Sequence, residues 1–384
     1  MPRIKELGYE IAITAFYGFQ GGFINWNGIP LYPKGRSPYG QDVLSAHAQH
    51  FGADIVITLL DIWVIDGDQV HKDLTWYPWF PIDHEPITPD ILAAAKKARK
   101  GIVLSQFGKR MAEDVGLDVY YVPHGIETKV FRPLDPKKSR EALDLPTDRF
   151  LVGMVAANKG VPSRKAFPQQ IGAFAQFHKK HRDTCLYLHT EKGGDSGEKV
   201  DLVQLVEYHG LELGRDVIFS DPYQGVLGFP DPYMVLAYSA MDVHMLVSLG
   251  EGFGIPIVEA QACGTPVIVG DWTSMSELCF AGWKVEKTEA ERWWSQFGSY
   301  MWNPHEGAIV DRLEQAYANA NDTVLRTQAR AGALVYDADR VTQEYWKPVL
   351  EDITNTLRAE GRIGIVDDAR KARLTEFQPP KEVT

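Results

Sequence analysis

Short apolar runs alternate along the chain with polar stretches of helical period. Residues 10–15 (EIAITA), 55–60 (IVITLL), 76–82, 101–104 and 119–122 read as buried strands, each a compact apolar run bounded by polar or turn residues. Helical patterns fill 41–51, 89–98 and 107–115. The rhythm restarts at 150–156 (FLVGMVA) and runs through strands at 184–189, 217–219, 242–247 and 265–269. Helices are expected between them at 168–181, 200–208, 233–239 and 256–262. Such alternation predicts parallel sheets covered by helices on both faces. Between the halves, 134–149 is rich in proline and charge around one short helical stretch at 138–143, and reads as an interdomain linker. The expected fold is therefore α/β, with two doubly wound domains facing a cleft and ligands at the carboxyl ends of the strands. Helices follow at 307–320, 323–335 and 341–357, and the charged segment after them is expected to fray. At the other end, 3–7 reads as the last turn of a helix with Gly8 as its C-cap.

Composition narrows the function classes. A chain of 384 residues suits two or three domains, and 45% apolar residues exclude a disordered chain. The formal charge of −11 argues against general nucleic-acid binding, which draws on Lys and Arg. Cys185, Cys263 and Cys279 form no C-x-x-C pair and read as buried thiols of a reducing compartment. No apolar run approaches the ~20 residues of a membrane span, and MPRIKELGYE has no signal core, so a cytoplasmic location is expected. Lys96, Lys97, Arg99, Lys100, Lys109 and Arg110 concentrate positive charge locally. They read either as a solvated helix pair or as a surface for weak docking on an anionic inner membrane face. Trp293, Trp294, Phe297, Tyr300 and Trp302 form an aromatic cluster that either packs under a loop or stacks on a sugar or partner.

The most informative stretch is 248–271, SLGEGFGIPIVEAQACGTPVIVGD. A strand ends, a glycine-rich turn follows, and Pro256 marks a helix start. Gly252, Phe253, Gly254 and Ile255 can bring backbone N–H groups and a helix N-terminus to an anion. Glu251 lies in the turn and Glu259 eight residues on, inside the helix. A carboxylate does not help to bind a diphosphate, but it grips vicinal hydroxyls with two hydrogen bonds. One anion site between two hydroxyl-binding sites describes a nucleotide-sugar.

The E-x7-E arrangement in EGFGIPIVEAQACGTPVI resembles the donor site of the retaining glycosyltransferase family 4. VPHGIETKVFRP (122–133) resembles that family's interdomain junction, with His124 in the usual asparagine place, and IVLSQFGKRMAEDVGL resembles another of its segments, beginning at Ser105. The resemblance extends to about residue 357. It implies a GT-B architecture of two Rossmann-like domains: an acceptor-side domain at 1–133 plus 340–365, a donor domain at 134–339, and a tail at 366–384. It also implies Glu259 on the nucleotide ribose and Glu251 on the transferred sugar. The family's two diphosphate cations, six positions apart, correspond to Lys159 and Lys165, with Lys159 in place of arginine. Lysine lacks the planar fork of arginine, and Arg164 can compensate.

In WFPIDHEPI, His84 matches a histidine that the family points at the donor sugar, and Asp83 and Ser105 are acceptor-side candidates. Neither Asp83 nor Glu85 forms a metal-ligand pattern with His84, so neither a metal nor a separate cofactor is expected. The implied reaction is hexosyl transfer from a nucleotide-sugar to a hydroxyl of a glycan, lipid or small molecule, with Glu251 and His84 as catalytic candidates. The family's first strand and glycine-rich loop have no counterpart before Arg3, which predicts an open edge in the first sheet. Two other functions share the fold: sugar-nucleotide epimerisation, and donor binding with little catalysis.

Overall fold

The computed structural model describes residues 1–16, 20–68, 70, 74–193, 198–320 and 322–363. Its larger sheet holds β8 (Phe150–Val155), β9 (Thr184–His189), β10 (Val217–Phe219), β11 (Val243–Leu246), β12 (Val267–Gly270) and β13 (Gly282–Val285). All pairings are parallel, in the order β10-β9-β8-β11-β12-β13. Every residue of β8, β11 and β12 is buried, as expected of strands covered on both faces. The order reverses between β8 and β11, so the crevice for a ligand opens at the carboxyl ends of those two strands. The loops leaving them, 156–166 and 247–254, are those that carry the candidate cations and the glycine turn.

The N-terminal half builds a parallel sheet from β4 (Val56–Leu59), β5 (Trp76–Phe80), β6 (Gly101–Val103) and β7 (Val119–Tyr121), paired in chain order. β5 (WYPWF) is buried throughout, and its pairing with β6 starts only at Trp79, beyond the missing N–H of Pro78. A separate small sheet joins β1 (Ile13–Thr14), β2 (Ile24–Trp26) and β3 (Ile29–Tyr32). Among the described residues, β4 pairs on one side only, with β5.

The stretch predicted as a linker is an ordered part of the C-terminal domain. Its helix Pro136–Ala142 starts at Asp135, which caps Lys138 N (2.9 Å). Arg140 is buried, paired with Asp242 (2.7 Å), and donates to the carbonyls of Ala240 and Arg149 (both 2.8 Å). A buried arginine saturated in this way pins the helix to the domain, because removing one partner would strand a buried charge.

The chain then returns to the first domain. Helix Lys347–Ala359 and the residues after it dock there through Asp352 on Tyr120, Glu360 on Arg99 and Arg362 on Thr75 (2.6 Å). The two passages between domains run side by side: Ile126 N donates to Tyr336 O and Ala338 N to Ile126 O (both 2.9 Å). Helix Pro2–Glu6, which ends near the predicted Gly8, fastens this crossing through Arg3, which holds Glu127 with two hydrogen bonds (2.6 and 2.8 Å) and Asp339 with one (2.5 Å). Most of the basic concentration is neutralised locally. Lys97 pairs with Asp68 and Lys100 with Asp118 (both 2.6 Å), Arg99 with Glu360, and Lys109 with Glu113 (3.7 Å).

Candidate active site

Glu251 sits five residues past the end of β11 and is almost fully buried. Burial alone would raise its pKa, but Lys165 and Arg164 outweigh it and hold the carboxyl below its ordinary range. Lys165 contacts Oε1, Ser248 Oγ donates to the same oxygen (2.6 Å), and Arg164 stands 3.5 Å from Oε2. Arg164 also donates to Gly250 O (2.7 Å) and approaches Asp83 (3.7 Å), so it ties the donor-domain turn to the first domain. Ser274 Oγ lies on the carbonyls of Glu251 (2.7 Å) and Phe253 (2.6 Å), and Glu251 N donates to Thr273 Oγ1 (3.1 Å). These bonds hold the turn rigid from behind. The amides of Gly252, Phe253 and Gly254 donate to no protein acceptor among the described residues. Gly254, at φ +115°, starts helix Ile255–Ala262, whose N-terminus points the same partial positive charge into the crevice.

The glycines have a second use that sequence reasoning missed. A Cβ at Gly250 would overlap the carbonyl oxygen of Asp83, and one at Gly252 would overlap the Pro81 ring. They are small because the first domain presses on the turn, as well as to admit an anion. Phe253 is buried beside His124 (ring centroids 5.3 Å apart) and Tyr336 (5.4 Å). His124 also packs at a tilt against Trp79 (4.7 Å between centroids), and burial lowers its pKa to about 4, so it is a neutral interdomain packing residue.

Glu259 lies deeper along the helix, half-buried, and accepts from Tyr238 OH (2.8 Å). Loss of water raises its pKa to about 7; the Tyr238 bond opposes the rise and the charge of Asp231 adds to it. The two acids thus sit in different electrostatic settings: Glu251 is ionised and paired with cations, whereas the Glu259 carboxyl is pushed up to about 7.

On the facing wall, His84 is buried and its Nδ1 donates to Asp83 Oδ1 (2.7 Å). Its Nε2 is buried without a protein partner among the described residues. The Asp83 carboxyl sits below its ordinary range: His84 and Arg164 outweigh burial, which acts the other way. One connected array therefore runs His84–Asp83–Arg164–Glu251–Lys165 across the cleft. Lys159 is not brought into it. It stays exposed and makes no ion pair among the described residues, on a loop anchored by Asn158 to Val200 (2.7 and 3.2 Å).

Ser105 is corrected to a structural role. It is completely buried, and its hydroxyl caps helix Gln106–Glu113 through Gly108 N (3.0 Å). Glu277 of the other domain accepts from Gln106 N (2.9 Å) and Phe107 N (3.0 Å) at the same helix start. Ser105→Ala should cost about 1 kcal/mol of stability, seen as a lower Tm, with acceptor KM unchanged. A raised KM at unchanged Tm would restore the acceptor-side role.

The aromatic cluster forms a ribbon of β14 (Arg292–Trp294) and β15 (Tyr300–Trp302), antiparallel, that reaches to the first domain. Glu85 N donates to Tyr300 O (3.1 Å), Ser299 Oγ donates to Pro86 O, and Lys287 pairs with Glu85 (2.9 Å). Trp302 packs inside, while Trp294 is exposed. Among the described residues, no group of three or more His, Cys, Asp or Glu is placed to hold a metal ion, and no helix is long and apolar enough to cross a membrane.

Residues 151–297 match the model of the family described as Glycosyl transferases group 1. D-inositol 3-phosphate glycosyltransferase of Acidothermus cellulolyticus is 32% identical over 149 residues, which cover 38% of this chain and 32% of that protein. Its namesake in Stackebrandtia nassauensis is 30% identical over 240 residues, 61% of this chain and 47% of that one. The chain thus spans about a third to a half of the length of these relatives. In fold, it is similar to sucrose-phosphate synthase of Thermosynechococcus elongatus, with TM-score 0.71, 17% identity and coverage of 93% and 91%. HepE of Anabaena in complex with UDP-glucose has TM-score 0.61, 17% identity and coverage of 84% and 86%. The fold is GT-B, and residues 151–297 are similar to the group 1 glycosyl transferases.

Proposed function

We propose that the chain is a retaining hexosyltransferase that moves a sugar from a nucleoside diphosphate to an acceptor hydroxyl. The observation that carries this reading is the crevice between β8 and β11. There, unbonded amides, a helix N-terminus, Arg164 and Lys165 meet one carboxylate on each side, Glu251 and Glu259. The relatives named glycosyltransferases, and the UDP-glucose complex of a protein of this fold, support it.

In this reading Glu259 grips the ribose, and the diphosphate lies on the amides of Gly252–Gly254. Arg164 and Lys165 turn from Glu251 toward the phosphates, Lys159 adds a third cation from its exposed loop, and Glu251 is released to the hydroxyls of the sugar. His84 Nε2 meets the sugar from the opposite wall, with its ring fixed by Asp83. The acceptor oxygen forms its bond to the anomeric carbon as the bond to the phosphate oxygen breaks. That phosphate oxygen takes the acceptor's proton on the same face, which retains the anomeric configuration. Charge on the leaving group is met by the cations and the helix N-terminus, and neither a divalent ion nor another cofactor is required. Preorganised donors of this kind are each worth ~10²–10³ in rate. The proposed setting is cytoplasmic.

A thermal-shift panel of UDP-, GDP- and ADP-sugars tests the donor site. One nucleotide class should raise Tm, because a ligand at 100 times its Kd adds about 2.7 kcal/mol. No shift from any of them would contradict the reading.

A further inference from the structure

Beside His84, the first domain carries groups that the donor site does not use. Asp61 follows β4 and stands at the N-cap of the short helical turn Ile62–Val64, yet its side chain makes no capping bond. Its carboxylate has no hydrogen bond or ion pair among the described residues. Loss of water and the charge of Asp83 raise its pKa, and Arg164 partly offsets them, so Asp61 lies within electrostatic reach of the array described above. Two residues on, Trp63 is 43% exposed. Its ring leans on Phe297 from the ribbon (5.4 Å between centroids, 42° between planes), and Phe297 meets the His84 ring edge-on (5.7 Å). Both domains therefore build one wall: an open indole face, a free carboxylate and a buried imidazole with an unpaired nitrogen.

We infer that Trp63 and Asp61 form the acceptor subsite, and that the acceptor is a neutral pyranoside. The inference rests on the donor-site reading and adds the substrate class. An exposed indole offers a flat apolar surface matched to the C–H face of a sugar ring. A carboxylate without partners accepts two hydroxyl hydrogen bonds, and charge assistance makes them strong. Asp61 and Asp83 together disfavour an anionic acceptor, and an alkyl chain would desolvate Asp61 without return. Among the described residues, no third ligand completes a metal site with them. Both residues leave the carboxyl end of a strand in the first domain, as Glu251 does in the second, so the wall faces the reacting sugar.

The test offers methyl glycosides of glucose, mannose, galactose and N-acetylglucosamine, and n-octanol as a non-sugar alcohol, with the donor selected by thermal shift. Transfer to at least one glycoside is expected. Trp63→Ala should raise its KM about tenfold, with Trp63→Phe intermediate, Asp61→Asn also raised, and donor Kd unchanged in all three. Transfer to octanol but to no glycoside would overturn the inference, as would an acceptor KM indifferent to Trp63→Ala. Failure of the unaltered protein to bind any donor would be a different result: it would overturn the donor reading and this inference with it.

Discussion

Replacing Glu251 by glutamine is expected to lower sugar transfer by ~10²–10³ while tightening the binding of the free nucleoside diphosphate. The two effects share one cause. In the unliganded site Glu251 is bound to Lys165 and stands 3.5 Å from Arg164, the cations that the phosphates need. The carboxylate competes with the diphosphate for them, and its neutral isostere does not. Loss of one competing charge should improve nucleotide affinity by roughly tenfold, about 1.4 kcal/mol, measured by titration with the diphosphate alone. Transfer falls because the carboxylate no longer accepts from the sugar's hydroxyls. Glu251→Ala is the poorer variant, since it leaves the half-buried Lys165 without a partner and should cost about 3–5 kcal/mol in stability. Equal loss of nucleotide binding and transfer in Glu251→Gln would contradict the competition.

Glu259 should make donor affinity depend on pH. Its carboxyl titrates at about 7 in the folded protein, and the ribose diol needs the ionised form as acceptor. Below pH 7 each unit should weaken nucleotide binding tenfold, with a plateau above it; Glu259→Gln should remove the slope and weaken binding at pH 8. Stability runs the opposite way. The folded pKa lies above the unfolded value, so the folded state keeps its proton longer and loses stability as pH rises from about 4.5 to 7. The loss is about 3 kcal/mol at most. The groups that set this value are the Tyr238 hydroxyl, the Asp231 carboxylate and the apolar packing, with the Cys263 thiol nearby. A pH-independent nucleotide Kd between pH 5.5 and 8.5 would remove Glu259 from the ribose.

Much of the donor domain was legible because its signals are local. The run FLVGMVA, the turn EGFG and Pro256 sit on consecutive residues, and periodicity and turn chemistry read them directly. The errors are contacts between distant positions. Ser105 looks like a free hydroxyl until Gly108 N and the approach of Glu277, 171 residues from Gln106, are seen. The segment at 134–149 has the composition of a linker, but Arg140 finds Asp242 across 102 residues and becomes core. Gly250 and Gly252 read as an anion cradle; the pressure of Pro81 and Asp83 on them is a property of the closed cleft. Asp61 was findable, since it follows a predicted strand at its carboxyl end, the place where α/β sheets bind ligands. Phe297 stood out in the aromatic cluster, but its partner Trp63 did not, because their pairing joins two domains.

The most direct test of the central claim follows the anomeric carbon by NMR while the protein turns over the best donor with a methyl glycoside. The account predicts a new glycosidic linkage with the donor's anomeric configuration, one nucleoside diphosphate released per linkage, and loss of the product in Glu251→Gln. A product of inverted configuration, or a nucleotide-sugar epimer formed without release of diphosphate, would contradict it.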